Sequence, residues 1–199
     1  MVKLLLLEGV CGAGKSTVSK ALQKIGGEYE VILLGQSFTY APIAPAEDAG
    51  LLDNETNARF LGKQIAFLKT LLDTGDEKKR IVVLDTFHIT QMIRPGVLSS
   101  DNFRIVDAAL AELDCRMAFL GIDEETLMQR TIVGRRGTGF ARYAAKFGKS
   151  DNELWEHFCQ EQQDMWLVAS ELSEIPVRRL DGSTSIDMLA EASLSFVLS

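Results

Sequence analysis

No stretch of this chain comes near the roughly 18 consecutive apolar residues that a membrane-crossing helix needs. The opening run Leu4-Leu5-Leu6-Leu7 stops at Glu8 and is too short for the apolar region of a secretory signal, so it reads as a buried strand. Cysteine and histidine are scarce. Cys11, Cys115 and Cys159 form an odd set with no Cys-x-x-Cys spacing, which supports neither a disulfide framework nor zinc ligation. His88 and His157 are too few for a protein-held transition-metal cluster. Positive charge is also short. A formal net charge of −7 speaks against nonspecific binding to nucleic acid or to an acidic membrane surface, so any anion site must be a local concentration of positive charge. A reducing cytoplasm is the compartment these absences fit. Internal repeats and low-complexity tracts are missing too. The remaining composition, 46% apolar and 25% charged over 199 residues, suits one domain spanning 1–199 with a substantial core.

What is present is an alternation. Short apolar runs at 3–7, 30–34, 80–84, 116–120 and 175–180 read as strands, apolar on both faces as parallel strands under helices are. Helical spacing fills the intervals at 15–24, 57–72, 101–113, 124–133, 152–172 and 186–198. Asp101 and Glu124 are positioned to cap two of these helices, and Ser185 a third. Such alternation predicts an α/β fold of three layers around a five-stranded parallel sheet. The segment 35–54, with Pro42 and Pro45, reads as a long irregular loop beyond the second strand, where such sheets build their ligand crevice.

The first strand runs directly into Gly9-Val10-Cys11-Gly12-Ala13-Gly14-Lys15-Ser16, a full Gly-x-x-x-x-Gly-Lys-Ser/Thr pattern. Glycines let backbone N–H groups curl around a phosphate, and the helix that starts near Lys15 adds its partial positive charge to the same place. Lys15 can reach the β- and γ-phosphates of a nucleoside triphosphate, the Ser16 hydroxyl can ligate Mg²⁺, and Thr17 can support the α-phosphate. A second strand, Ile81-Val82-Val83-Leu84, ends in Asp85, as expected of a carboxylate that holds Mg²⁺ or its water.

From Gln129 to Ser150 there is no acidic residue, while Arg130, Arg135, Arg136, Arg142, Lys146 and Lys149 all fall there, punctuated by Gly134, Gly137, Gly139 and Gly148. A flexible arginine-rich segment in an acidic chain suits a mobile basic lid, about 134–150, that neutralises charge on a transferring phosphoryl group and excludes water.

Leu7-Glu8-Gly9 leading into Gly12-Ala13-Gly14-Lys15-Ser16-Thr17 resembles the start of thymidylate kinases and deoxynucleoside kinases, and the whole layout is similar to that P-loop nucleoside/nucleotide kinase superfamily. The resemblance implies that Gly9, Gly12, Ala13, Gly14, Lys15, Ser16 and Thr17 cradle ATP, with Ser16 and Asp85 organising Mg²⁺. It implies that Arg130, Arg135 and Arg136 contact phosphates or the adenine face, that Asp181, Gly182 and Ser183 pass beside the adenine, and that Arg59 and Lys63, near Gln64, face the acceptor. Two positions depart from the pattern. Thymidylate kinases follow the aspartate with arginine, where this chain has Thr86. Both families carry a Glu-Pro pair after the second strand, where this chain has Gly35-Gln36-Ser37-Phe38.

The expectation is therefore an ATP-dependent, Mg²⁺-requiring phosphotransferase moving the γ-phosphoryl group to a small acceptor, a nucleoside or nucleotide, chosen by a segment that holds Gln36 and Tyr40. Asp85 is the first candidate for the base, ahead of Glu47, Asp48 and Asp53. Rival readings are a kinase of a non-nucleotide metabolite or antibiotic, and a non-catalytic ATP-binding regulator. No Asn-Lys-x-Asp stretch supports a guanine-reading switch. His88 reads as a satisfied structural histidine, and Trp155 and Trp166 read as core. The expected partners are the nucleotide and a small molecule, with no nucleic acid and no membrane; pairing with a second copy of the chain is left open.

Overall fold

The computed structural model describes residues 2–73, 77–94, 96–134 and 150–199, with the side chains of Glu47 and Asp48 excepted. Leucines 4 to 7 leave no polar side chain to turn outward, so β1 (Val2–Glu8) can only be a central strand, and all four are fully buried. The same holds for β3 (Arg80–Asp85), buried along its whole length. With β2 (Glu30–Leu34), β4 (Cys115–Gly121) and β5 (Val177–Asp181) they form one five-stranded sheet in the order β2-β3-β1-β4-β5, every pair parallel.

Parallel neighbours need helical crossovers, and right-handed crossovers that run opposite ways along the sheet lie on opposite faces. α1 (Lys15–Ile25) carries the chain from β1 outward to β2. α4 (Asn54–Leu72) and α6 (Ser100–Ala111) carry it back through β3 to β4. α1 accordingly packs against the last helix, α9 (Ile186–Leu198), while α4 packs against α6. The reversal makes the carboxyl ends of β1 and β3 the crevice of the sheet.

Several local expectations shift. The segment 35–54 is not a long irregular loop: it holds two short helices, α2 (Gln36–Thr39) and α3 (Ala44–Asp48). The caps of α6 and of α7 (Glu124–Leu127) sit one or two residues before the acidic candidates. Ser99 accepts from the Asn102 N–H and Asp123 from the Thr126 N–H, because a cap must have extended backbone just outside the helix. Asp53 caps α4 in the same way. α8 (Asp151–Leu167) begins with a reciprocal capping box between Ser150 and Glu153. α5 (Ile89–Met92) is a single turn after β3. α7 and α8 each widen into a π-helical turn, at Met128–Val133 and Val168–Leu172. Among the described residues, no helix is long and apolar enough to cross a membrane.

Candidate functional site

The turn after β1 is built on glycine. Gly9, Gly12 and Gly14 have φ of +139°, +90° and +97°, where an L side chain is strained. A Cβ on Gly9 would also sit 2.5 Å from the Leu120 carbonyl oxygen. Ala13 is buried beneath the loop, and its N–H donates to the Val10 carbonyl at 3.2 Å. Lys15, buried at the start of α1, donates through Nζ to the carbonyls of Gly9 (2.6 Å) and Val10 (3.0 Å). Its charge is thereby held across the mouth of the loop. Ser16 Oγ donates to Asp85 Oδ2 at 2.5 Å, joining the start of α1 to the end of β3. Asp85 Oδ1 is buried with no hydrogen-bond partner.

These groups open into a cleft of about 920 Å³. On its β4/β5 side lie Arg130, Gly134 and Ile186; on its β2/β3 side lie Gln36, Thr39, Tyr40, Phe87, Gln91 and Arg94; Glu161 and Met165 of α8 close it. The Arg94 guanidinium lies 5.1 Å from the centre of the Tyr40 ring. Glu161 is half-buried, yet its Oε2 is covered and has no partner. Burial, with Asp164 adding to it, pushes its carboxyl above the usual value, although the charges of Arg94 and Lys15 pull the other way.

Of the residues singled out in the sequence, Gly9, Gly12, Gly14, Lys15, Ser16, Thr17, Gln36, Tyr40, Asp85 and Arg130 line this one cleft. Arg130 donates to the Gly182 carbonyl at 2.9 Å, fixing the turn after β5. In that turn the Gly182 N–H donates to Gly121 O at 2.7 Å, and Asp181 Oδ1 accepts from the Ser183 N–H. Asp181 itself is exposed. Arg59 and Lys63 do not reach the cleft. They lie on the exposed face of α4, where Arg59 bonds to Thr56 one turn away, while Gln64 turns inward to the carbonyls of Phe38 and Thr39. Arg135 and Arg136, with the rest of 135–149, lie outside the described residues. Among the remaining base candidates, Asp53 is exposed and engaged as the cap of α4.

His88 is fully buried outside the cleft lining, with Nε2 2.7 Å from Asp107 Oδ1 and its ring stacked on Phe103. Burial works to raise the Asp107 carboxyl, but His88, the Ser173 hydroxyl and the Glu174 N–H outweigh it and hold it below its usual value. Trp155 and Trp166 pack against the core.

Glu8, Gln91, Arg94, Thr131 and Glu161 escape the sequence reading. Glu8, fully buried at the end of β1, accepts from the Phe87 N–H at 2.9 Å and from the Thr90 hydroxyl at 3.4 Å, clasping the segment after β3. Burial pushes its carboxyl up. Thr131, in the π-helical turn, donates to the Cys11 carbonyl at 3.0 Å and fills the space a Gly12 side chain would need.

The fold is that of the P-loop kinases. Similar solved structures include the YorR protein from Bacillus subtilis in complex with phosphorylated GDP, at 18% identity and a TM-score of 0.64 over 98% of this chain and 95% of that one. The Mycobacterium tuberculosis APS kinase CysC, in complex with AMPPNP and APS, is similar at 16% identity and a TM-score of 0.56 over 99% and 98%. A deoxyadenosine kinase from M. mycoides with bound dATP is similar at 15% identity and a TM-score of 0.53 over 98% and 100%. No protein-family model matches the chain, and no curated protein matches it by sequence.

Proposed function

We propose that this chain is an ATP-dependent, Mg²⁺-requiring phosphotransferase that moves a γ-phosphoryl group to a small acceptor held on the β2/β3 side of the cleft. The observation that carries the reading is the Ser16–Asp85 hydrogen bond beside an unpartnered Asp85 Oδ1, directly under the glycine loop. The residues present fit the metal: Ser16 and Asp85 would hold it, and its chemistry would be to neutralise and orient the β- and γ-phosphates. Lys15 brings a full positive charge to the same phosphates, and the N–H groups that open α1 add their partial charge. Arg130 anchors the nucleotide side through Gly182. The segment 135–149 would complete the lid with Arg135 and Arg136.

The deoxyadenosine kinase and APS kinase of similar fold support phosphoryl transfer in general. By resemblance the acceptor is a nucleoside or nucleotide. Gln36, standing where thymidylate and deoxynucleoside kinases keep a glutamate, favours a second reading in which the acceptor is a different metabolite. Lys15→Ala should lower acceptor-dependent ADP release by at least about 10²-fold in a coupled assay, the scale on which preorganised charge at a transition state acts. Undiminished turnover in that variant would remove the proposal.

A further inference from the structure

Among the described residues, the β2/β3 side of the cleft carries little of the positive charge a phosphate site needs. Among the described residues the cations lining the cleft are Lys15, Arg94 and Arg130. Lys15 belongs to the glycine loop, and Arg130 reaches toward Gly182, away from β2 and β3. That leaves Arg94 on the acceptor side, its guanidinium against the Tyr40 ring and its charge felt by Glu161. Facing it is an excess of unanswered oxygen. Thr39 Oγ1, Thr86 Oγ1, Gln91 Oε1 and Glu161 Oε2 are each buried, without a hydrogen-bond partner, on residues of this cleft.

Gln91 Oε1 and, when ionised, Glu161 Oε2 can only accept. A buried acceptor left without a donor is destabilising, and one that lines a cleft can be satisfied by a donor on a bound ligand. A phosphomonoester would bring roughly −1.5 to −2 charges toward the Glu161 carboxylate, which would repel it. A molecule carrying O–H or N–H groups would satisfy both oxygens.

We propose that Glu161 and Gln91 form the acceptor subsite, and that the acceptor is an uncharged alcohol with a second hydrogen-bond donor. Its reacting hydroxyl sits on Glu161 Oε2 and its other donor on Gln91 Oε1. This rests on the kinase reading and deepens it. In the transfer, the hydroxyl oxygen forms a bond to the γ-phosphorus of ATP, the bond from that phosphorus to the β,γ-bridging oxygen breaks, and ADP leaves. The hydroxyl proton passes to Glu161 and then to solvent. The carboxylate missing at Gln36 is thus supplied from α8.

The test uses the whole chain with Mg²⁺ and ATP against two panels: neutral alcohols (nucleosides, sugars, polyols) and their monophosphates. ADP release is followed by a coupled assay and products by mass spectrometry. An alcohol from the first panel should be phosphorylated and its monophosphate should not. Glu161→Gln should lower kcat by about 10²-fold or more, as loss of a general base does. The same variant should leave the affinity for a fluorescent ATP analogue and the circular dichroism spectrum unchanged. Gln91→Met should raise the acceptor KM about tenfold with a smaller effect on kcat, as loss of one ground-state hydrogen bond does. Transfer to a monophosphate, or Glu161→Gln with kcat within twofold of the parent, would overturn the subsite while leaving the kinase reading intact. Absence of ADP release with both panels, despite ATP binding, would overturn the kinase reading and the subsite with it.

Discussion

Glu161 keeps a carboxylate where burial opposes its charge. A carboxyl whose folded value is raised above the ordinary 4.5 contributes stability that is complete below the unfolded value and is lost as pH rises through the folded one. Glu161→Gln should therefore melt higher than the parent at pH 8, with the advantage shrinking toward pH 4, even as activity falls. A thermal melt of both proteins across that range checks it, and an advantage that grows on acidification would contradict the assigned direction. Thr86 is a second strained residue: φ of +68° on a β-branched side chain is unfavourable, and it directly follows Asp85. Its N–H donates to Leu7 O at 3.0 Å, which ties the backbone down at that point. The phosphate loop, Asp85, Gln36 and Tyr40 are legible as cleft residues because motif, strand end and loop position announce them. Glu161 is legible only as an acidic residue in the inward stripe Leu154, Phe158, Met165, three residues from one member and four from the next. Gln91 and Arg94 lie where no periodicity guides the eye.

Between elements, the phosphate loop and the root of the basic segment are joined at one contact. The π-helical turn at Met128–Val133, closed by Gly134 N–H to Gln129 O at 2.8 Å, presents Arg130 to Gly182 and Thr131 to Cys11. Such turns recur at functional sites. A Cβ at Gly12 would lie 2.5 Å from Thr131 Oγ1, and φ there is +90°. Gly12→Ala should destabilise the protein, and less so in a Thr131→Ala background. Denaturant melts of the four proteins should give a coupling of about 1 kcal/mol, within the usual range for touching residues. Strict additivity would deny the contact. At this scale the spacing of α4 is legible, since the apolar stripe Leu61, Ile65, Leu68 faces inward; it is the resemblance that sends Arg59 and Lys63 to the acceptor, whereas both lie exposed and Gln64 turns inward.

For the molecule as a whole, ligand binding and stability are linked. A ligand that binds only the folded chain adds about 2.7 kcal/mol at a concentration one hundred times its Kd, which for a chain of this length raises Tm by about 5–10 °C. ATP with Mg²⁺ should produce that shift in the parent, and Lys15→Ala should lose most of it. Absence of a shift in the parent at millimolar concentrations of both would argue against the nucleotide site. All five strands are legible to within a few residues, the central ones because their runs are apolar on both faces; β5, with Arg178 and Arg179 exposed, is legible mainly from its place before the last helix. Their order is not, since pairing is settled by which helix covers which face.

That order makes β1, the earliest of the five strands along the chain, wait for both of its neighbours. β1 lies between β3 and β4, so Leu4 pairs with Val82 on one side and Cys115 on the other. As the chain leaves the ribosome, at about 5–20 residues per second, four consecutive leucines have no lateral partner until residue 80 has emerged, and no second one until residue 115. The strand that later carries the phosphate loop thus spends its first seconds as an adhesive segment, and the leucine run that anchors the finished sheet is also the stretch a nascent chain most needs shielded.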